Sequence, residues 1–377
     1  MMLAVGSTSR QGKLNGLVIA LLVLGWAASL HAQRRSATDC TPSFPFKDSW
    51  WGADAAYSIP TPDGRSIWIF GDTLYGTGRV VEGNEPRMVR NSIGVSTCDD
   101  RSGWKIDYVI RRGDEGQLLD FFQAQHKDTW YWPLDGFFYK NNLWVALLCM
   151  RNSPKTSADA LGFETCGTDL ARISGLENDP QQWSVKYFPL VPDGVRAYPS
   201  ATAVVEGEYA YIFALLEAGS RPMLLTRIPL DGLDAPAEHL QYLAKSGAWK
   251  PGLTPADAMH VMQRGNTEMT VRYHPGLKKW IAVLNYPKLF SDKIIARTAP
   301  QLAGPWSKGK VIYRIPEMQK GWTGYDKDTI CYAGKEHPEF RRPGSMLITY
   351  ACNTMAVRKL VGHLDIYFPK VVRVPFK

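Results

Sequence analysis

Residues 51–76 read WGADAAYSIPTPDGRSIWIFGDTLYG. Two short β-rich runs, AAYSIP and SIWIFG, flank PDGR, whose proline, aspartate and glycine spell a tight turn. The stretch therefore reads as a β-hairpin. It carries a carboxylate at each end: Asp54 before its first strand and Asp72 after its second. Asp63 belongs to the turn itself, where an aspartate caps its own backbone.

Four further hairpins of the same kind follow. They are WPLDGFFY with NLWVALLCMRN, AYPSATAVV with YAYIFALLEA, GNTEMTVRY with KWIAVLNY, and YDKDTICYA with SMLITYACN. A polar residue precedes each first strand: Asp54, Asp135, Ser200, Glu268 and Asp328. Another follows each second strand: Asp72, Asn152, Glu217, Asn285 and Asn353. Most hairpins are followed by a third β-run, such as NSIGVST or IIARTA. A loop then closes on Trp104, Trp183 or Trp306, and a fourth β-run comes next. Five such units predict an all-β fold, a five-bladed β-propeller with four-stranded antiparallel blades. A β-sandwich is the alternative, but it gives no reason for the same polar residue at one strand boundary five times. In a propeller the first strand of each blade lines the central channel and the second returns to the same mouth. The ten polar residues then gather at one rim.

Outside this region the chain begins with Arg10 and Lys13, then LVIALLVLGWAASL and a small residue at Ala32. That order describes a secretory signal peptide over 1–32, and the apolar run is short for a membrane span. Residues 33–377 are expected as a single domain, secreted or periplasmic, monomeric, and free of the membrane once the signal is cut. An uncleaved anchor is the alternative. The six cysteines at 40, 98, 149, 166, 331 and 352 all follow the signal, an even number compatible with disulfides. Cys149–Cys166 and Cys331–Cys352 would each join neighbouring strands, leaving Cys40–Cys98; buried free thiols are the alternative. The formal net charge of +8 is scattered without a basic block, which argues against a nucleic-acid partner.

Carboxylates from different blades suit glycoside hydrolysis: one protonates the leaving oxygen, another activates water or attacks the sugar. Asp54 is expected as base or nucleophile and Glu268 as acid, with Asp72 and Asp135 tuning pKa and holding hydroxyls. Trp51 and Trp132, each three residues before an aspartate, offer indole faces to a sugar, and Tyr198 stands at the matching place in the third unit. Arg90 and Asn91 in MVRNSIGV, and Asp328, complete the expected substrate-binding set. Arg90 could equally pair with Asp72. Trp104, Trp183 and Trp306 read as packing between blades, and His260 and His274 as bystanders. No metal-ligand spacing of cysteine or histidine occurs, and the chemistry requires no cofactor; Ca²⁺ is compatible with a channel lined by carboxylates and carbonyls.

WGADAAYSIPTPDGRSIWIFGDTLYG followed by MVRNSIGV resembles the opening of a bacterial secreted family long catalogued as a domain of unknown function. Some of its members are endo-D-arabinanases. The resemblance spans roughly residues 40–377, with FGDT and RNSI carrying most of it. It implies a five-bladed propeller and an endo-acting glycosidase whose acidic motifs contain Asp54 and Asp72. In other five-bladed glycosidases the usual acid lies on the third blade, where this chain has Ser200. The expected partner is thus a furanose-containing polysaccharide, with D-arabinan as the specific case. A non-catalytic glycan-binding propeller and a lyase or phosphorylase remain alternatives, because one fold hosts many functions.

Overall fold

The computed structural model describes residues 40–76, 86–99, 101–153, 162–288, 291–355 and 366–376. The expected signal peptide, 1–32, lies outside them. The structure is all-β, and of the seven antiparallel sheets among the described residues five follow one another along the chain, the other two being small. The first comprises Tyr57–Pro60, Ser66–Phe70, Ser92–Asp99 and Gly103–Val109. The second comprises Thr129–Tyr139, Asn142–Asn152, Phe163–Ser174 and Ser184–Val191. The third starts at Ala197–Glu206 and has five strands, because the short pair Gln241–Leu243 and Trp249–Pro251 extends its outer edge. The fourth comprises Met269–His274, Lys279–Asn285, Lys293–Ala299 and Lys310–Arg314. The fifth has three strands among the described residues: Thr329–Glu336, Ser345–Thr354 and Lys370–Pro375. Four strands per sheet therefore holds for three of the five.

Second strands such as SIWIF and KWIAVLN are apolar almost throughout, and the packing explains why. Successive side chains point to opposite faces of a sheet, and here both faces are covered. Ile281 and Val283 pack against Met346 and Ile348 of the fifth sheet. Ala282 and Leu284 pack against Phe213 and Leu225 of the third. Ile67 and Ile69 meet Leu143 and Leu147 of the second sheet. Trp144 and Leu170 meet Ile212 and Ile228. Trp68 and Phe70 meet Val371 of the fifth sheet and Phe340 in the turn between its first two strands, which brings the last sheet against the first. Each large side chain so buried contributes about 1.5–3 kcal/mol. Trp183 lies in the core between first and second sheets, and Trp306 packs on the core between third and fourth. Trp104 sits edge-on to Trp68 and Phe340, between first and fifth. The three tryptophans are thus packing residues, as their loops predict.

The three disulfides are Cys40–Cys98, Cys149–Cys166 and Cys331–Cys352. Among the described residues no helix is long and apolar enough to cross a membrane.

Asp135, expected at the rim among the catalytic carboxylates, is fully buried between the innermost strands. It falls in a bulge between Pro133 and Gly136. Its oxygens accept from Thr202 Oγ1 at 2.6 Å, Ala203 N at 3.0 Å and Gly136 N at 2.9 Å. Arg272 grips it with two guanidinium contacts at 2.9 and 2.8 Å. One carboxylate thereby ties the second, third and fourth sheets together, and none of its lone pairs is left for a sugar. Asp135→Ala strands a buried guanidinium and should cost about 3–5 kcal/mol in urea unfolding. A loss below about 1 kcal/mol would remove Asp135 from the framework.

Candidate active site

The opening hairpin does not stop at its carboxylates. Its strands break at Asp54–Ala56 and Gly71–Asp72, then continue as Trp50–Ala53 paired with Thr73–Tyr75, joined by Arg87–Val89 in a separate small sheet. Ala55 and Ala56 take φ of 64° and 57° at the break. The left-handed region is costly for a residue with a Cβ, and such costs concentrate at working sites. Across the break, Asp54 N donates to Asp72 O at 3.4 Å and Gly71 N to Asp54 O at 3.2 Å. A Cβ at Gly71 would fall 2.2 Å from Asp54 Oδ1, so the glycine of FGDT is what admits the carboxylate.

Around Asp54 the structure gathers Asp72, Glu268, Lys335 and Tyr332. Tyr332 O–H donates to Asp54 Oδ2 at 2.8 Å. Lys335 is fully buried, with Nζ 3.9 Å from Glu268 Oε1 and 4.2 Å from the centre of the Tyr57 ring, and it donates to Ala55 O. Asp72 accepts from Trp132 Nε1 at 3.2 Å and pairs with Arg90 at 3.4 Å. Arg90 lies over the Trp130 ring at 4.5 Å, and its backbone N–H donates to Asp120 at 2.7 Å. Tyr367 O–H donates to Asp72 O at 2.8 Å.

Burial dominates the electrostatics. It pushes the Asp54 carboxyl well above the usual range, helped by the charges of Asp72 and Glu268 and opposed by Tyr332 and Lys335. Burial likewise raises Asp72, against Arg90 and Trp132. Burial raises Glu268 too, against Lys335. Lys335 itself is lowered to about 8 by burial, despite Glu268 and Asp54. Carboxyls crowded in this way titrate as a set held above the ordinary carboxylate range, the direction that acid–base chemistry on a sugar requires.

Of the residues expected here, Asp54, Asp72, Glu268, Arg90 and Trp132 converge. Trp51 is half-buried against Leu74 and Tyr367, with Phe46 edge-on at 5.3 Å, on the small sheet beside Asp72. Tyr198 is buried in the core between first and second sheets, its O–H on Glu217 at 3.1 Å. Asn91, expected at a sugar, is fully buried instead. Its amide donates to Phe122 O and Tyr131 O and accepts from Phe122 N at 2.7 Å, so it clamps the chain that carries Asp120. Asp328 lies beyond the rim, in a separate cavity of about 320 Å³ with Met318 and Tyr325.

The fifth hairpin explains that last displacement. Its inner strand bulges between Tyr332 and Lys335, just as the second bulges between Pro133 and Gly136 and the third between Pro199 and Thr202. Aligned on the bulge, Tyr332 occupies the place of Asp54 and Lys335 that of Tyr57. Sequence reasoning missed both. The small pairs AA, SA and AG, before Tyr57, Thr202 and Lys335, are the signal that would have found them.

His274 is buried with Nε2 2.9 Å from Glu336, a framework contact. Among the described residues, one group of potential metal ligands lies within mutual reach, Glu317 with Cys331 and Cys352, and those two sulfurs are joined in a disulfide.

A ring of antiparallel sheets around an acid-lined mouth defines an all-β protein of propeller-like architecture. The chain belongs to the family described as "Domain of unknown function (DUF5005)", which matches residues 43–375. No curated protein matches its sequence. A Bacteroides ovatus ATCC 8483 protein proposed to be a hydrolase has a similar structure, with a TM-score of 0.66, 18% identity and 86% of each chain covered. An exo-1,5-α-L-arabinanase from a bovine ruminal metagenomic library aligns at TM-score 0.43 and 12% identity, over 87% of this chain and 94% of its own. A thermostable family-43 glycoside hydrolase aligns at 0.43 and 14%, over 86% and 90%. At these identities the first likeness speaks for the fold alone, and the two looser ones carry no argument about the site.

Lys335→Met removes the cation that holds down both Glu268 and Asp54. Their carboxyl titrations, followed by carbon-13 NMR, should move to higher pH; unchanged midpoints would disconnect Lys335 from the pair. Stability gives a second readout. The folded pKa of Lys335 is depressed from 10.5 to about 8, so the folded state gives up that proton first. The lysine's contribution therefore rises with pH between those values, by up to about 1.4 kcal/mol per unit. The wild-type curve minus that of Lys335→Met should show this slope.

Proposed function

We propose that this protein is an exported glycoside hydrolase with a five-bladed propeller fold, acting within chains of a furanose-containing polysaccharide such as D-arabinan. The observation that carries the hydrolase reading is the convergence of Asp72, Glu268 and the buried Lys335 around Asp54, the three carboxyls each raised by burial. The furanose polymer and the endo action rest on the resemblance of the FGDT and RNSI motifs. Export is supported by the leader-like N-terminus and by three disulfides, which suit an oxidising compartment.

In this reading Glu268 is the general acid and Asp54 the base or nucleophile. Burial raises both Asp54 and Glu268, so the division of the proton between them depends on specific contacts. Tyr332 places a 2.8 Å hydrogen bond on Asp54, which favours its ionised form. Lys335, 3.9 Å from Glu268, lowers that carboxyl without hydrogen-bonding to it, and burial still leaves it raised on balance. Trp132 and Arg90 fix Asp72 where it can take a sugar hydroxyl. The carboxyls supply both proton transfers, so hydrolysis asks for no cofactor. A monomer suffices, because every group comes from one chain.

The test is turnover of a panel of plant and bacterial polysaccharides, mycobacterial arabinogalactan included. Asp54→Asn and Glu268→Gln should each lose about 10²–10⁴-fold in kcat/KM with unchanged melting curves. On an aryl glycoside with a good leaving group, Glu268→Gln should recover most of its rate and Asp54→Asn none. The opposite pattern would exchange the two roles. Glycan binding without products from any polymer would make the protein a binding module.

A further inference from the structure

A second cavity, of about 820 Å³, opens between the third and fourth sheets. Arg264, Arg297 and Lys308 line it with His260, Tyr286 and Trp306, and no carboxylate is among its lining residues. Arg264 and Lys308 are exposed, and neither side chain has an ion-pair partner among the described residues. Arg297 donates to the backbone oxygens of Gln263 and Arg264, while its Nε is buried with no hydrogen-bond partner. Burial disfavours its cation, Tyr286 partly offsets that, and the Arg264 charge adds to it, a strain that a bound anion would relieve.

This cavity is tethered to the acidic mouth in two ways. Arg264 and Glu268 share one short connection, whose four steps span at most about 14 Å. Tyr286 follows Asn285, which accepts from Gly334 N at 2.6 Å, next to Lys335. Asn266 Nδ2 closes the link by donating to Asn285 O at 2.8 Å. A glycan lying across Glu268 would reach the cavity within a few sugar units. Guanidinium groups bind carboxylates and phosphates by paired donors, and aromatic rings pack on sugar faces.

We propose that the cavity is a distal subsite for an anionic substituent, carboxylate or phosphate, on the polysaccharide. The inference rests on the hydrolase reading for its place along the chain. It narrows the substrate from a neutral polymer to one bearing acidic groups, held by Arg264, Lys308 and Arg297. Arg297 also fixes the loop leading to Glu268, so occupancy of the subsite meets the same segment that carries the acid.

The test is calorimetric binding to the Asp54→Asn protein, which does not consume the probe. The probes are tetragalacturonic acid, its fully methyl-esterified form, and a phosphorylated oligomannoside. The acid or the phosphate should bind at least tenfold more tightly than the ester, with an advantage that shrinks as salt is raised. Which of the two binds names the source of the anion. Arg264→Gln with Lys308→Gln should erase the advantage and leave the melting curve unchanged, since neither side chain supports the fold. No anion preference, or a preference that survives both substitutions, overturns the proposal. A charge preference without hydrolysis of any polymer would sink the hydrolase reading and leave the subsite standing. Hydrolysis without a charge preference would do the reverse.

Discussion

Two-sided burial of every sheet is the constraint on which the rest depends. A strand such as Ser66–Phe70 gives Ile67 and Ile69 to one neighbour and Trp68 and Phe70 to the other, so nowhere along it can a charge be solvated. Ionisable groups are driven to the strand ends and breaks at the mouth of the ring. Those that do lie deeper must be fully partnered. Asp135 is the example, with five contacts, two of them to the Arg272 guanidinium, and it serves cohesion between sheets.

The same constraint sets the chemistry of the mouth. Asp54, Asp72 and Glu268 sit where the apolar layers end, close enough to the low-dielectric interior for burial to raise all three. Water would suppress such shifts, and full burial would require neutralisation, as at Asp135. The break at Ala55 and Ala56 holds Asp54 at this boundary, and the missing side chain of Gly71 makes room for it. Lys335 tempers the cluster from below, a cation whose own burial keeps it easy to discharge.

Two charge regimes lie side by side on the fourth sheet's rim. The mouth concentrates carboxyls, while the charged side chains lining the cavity past Arg264 are cations. Separated by one short loop, they sort a ligand by charge along its length. Uncharged or leaving portions suit the mouth, and acidic substituents suit the cavity. A moderate net charge spread over the whole chain hides this arrangement, because it depends on which few residues share a wall.

Sequence alone determined the class of fold, since alternating apolar runs and five recurrent hairpins require sheets with covered faces. It also singled out Asp54, Asp72, Glu268, Arg90 and Trp132, which lie together in the structure because hairpin connectivity returns both strand ends to one side. Cys149–Cys166 and Cys331–Cys352 followed from neighbouring strands, and Cys40–Cys98 was the pair that remained. Tertiary structure decided everything that hinges on bulges and partners. A two-residue bulge moved the fifth rim from Asp328 to Tyr332 and Lys335, a shift that no local pattern of polarity announces. It also decided that Asp135 and Asn91 are clamps and not ligands, because their partners, Arg272 and Phe122, come from distant points in the chain. Polarity is written in a sequence; whether a polar group faces water or another polar group is settled only when the sheets close upon one another.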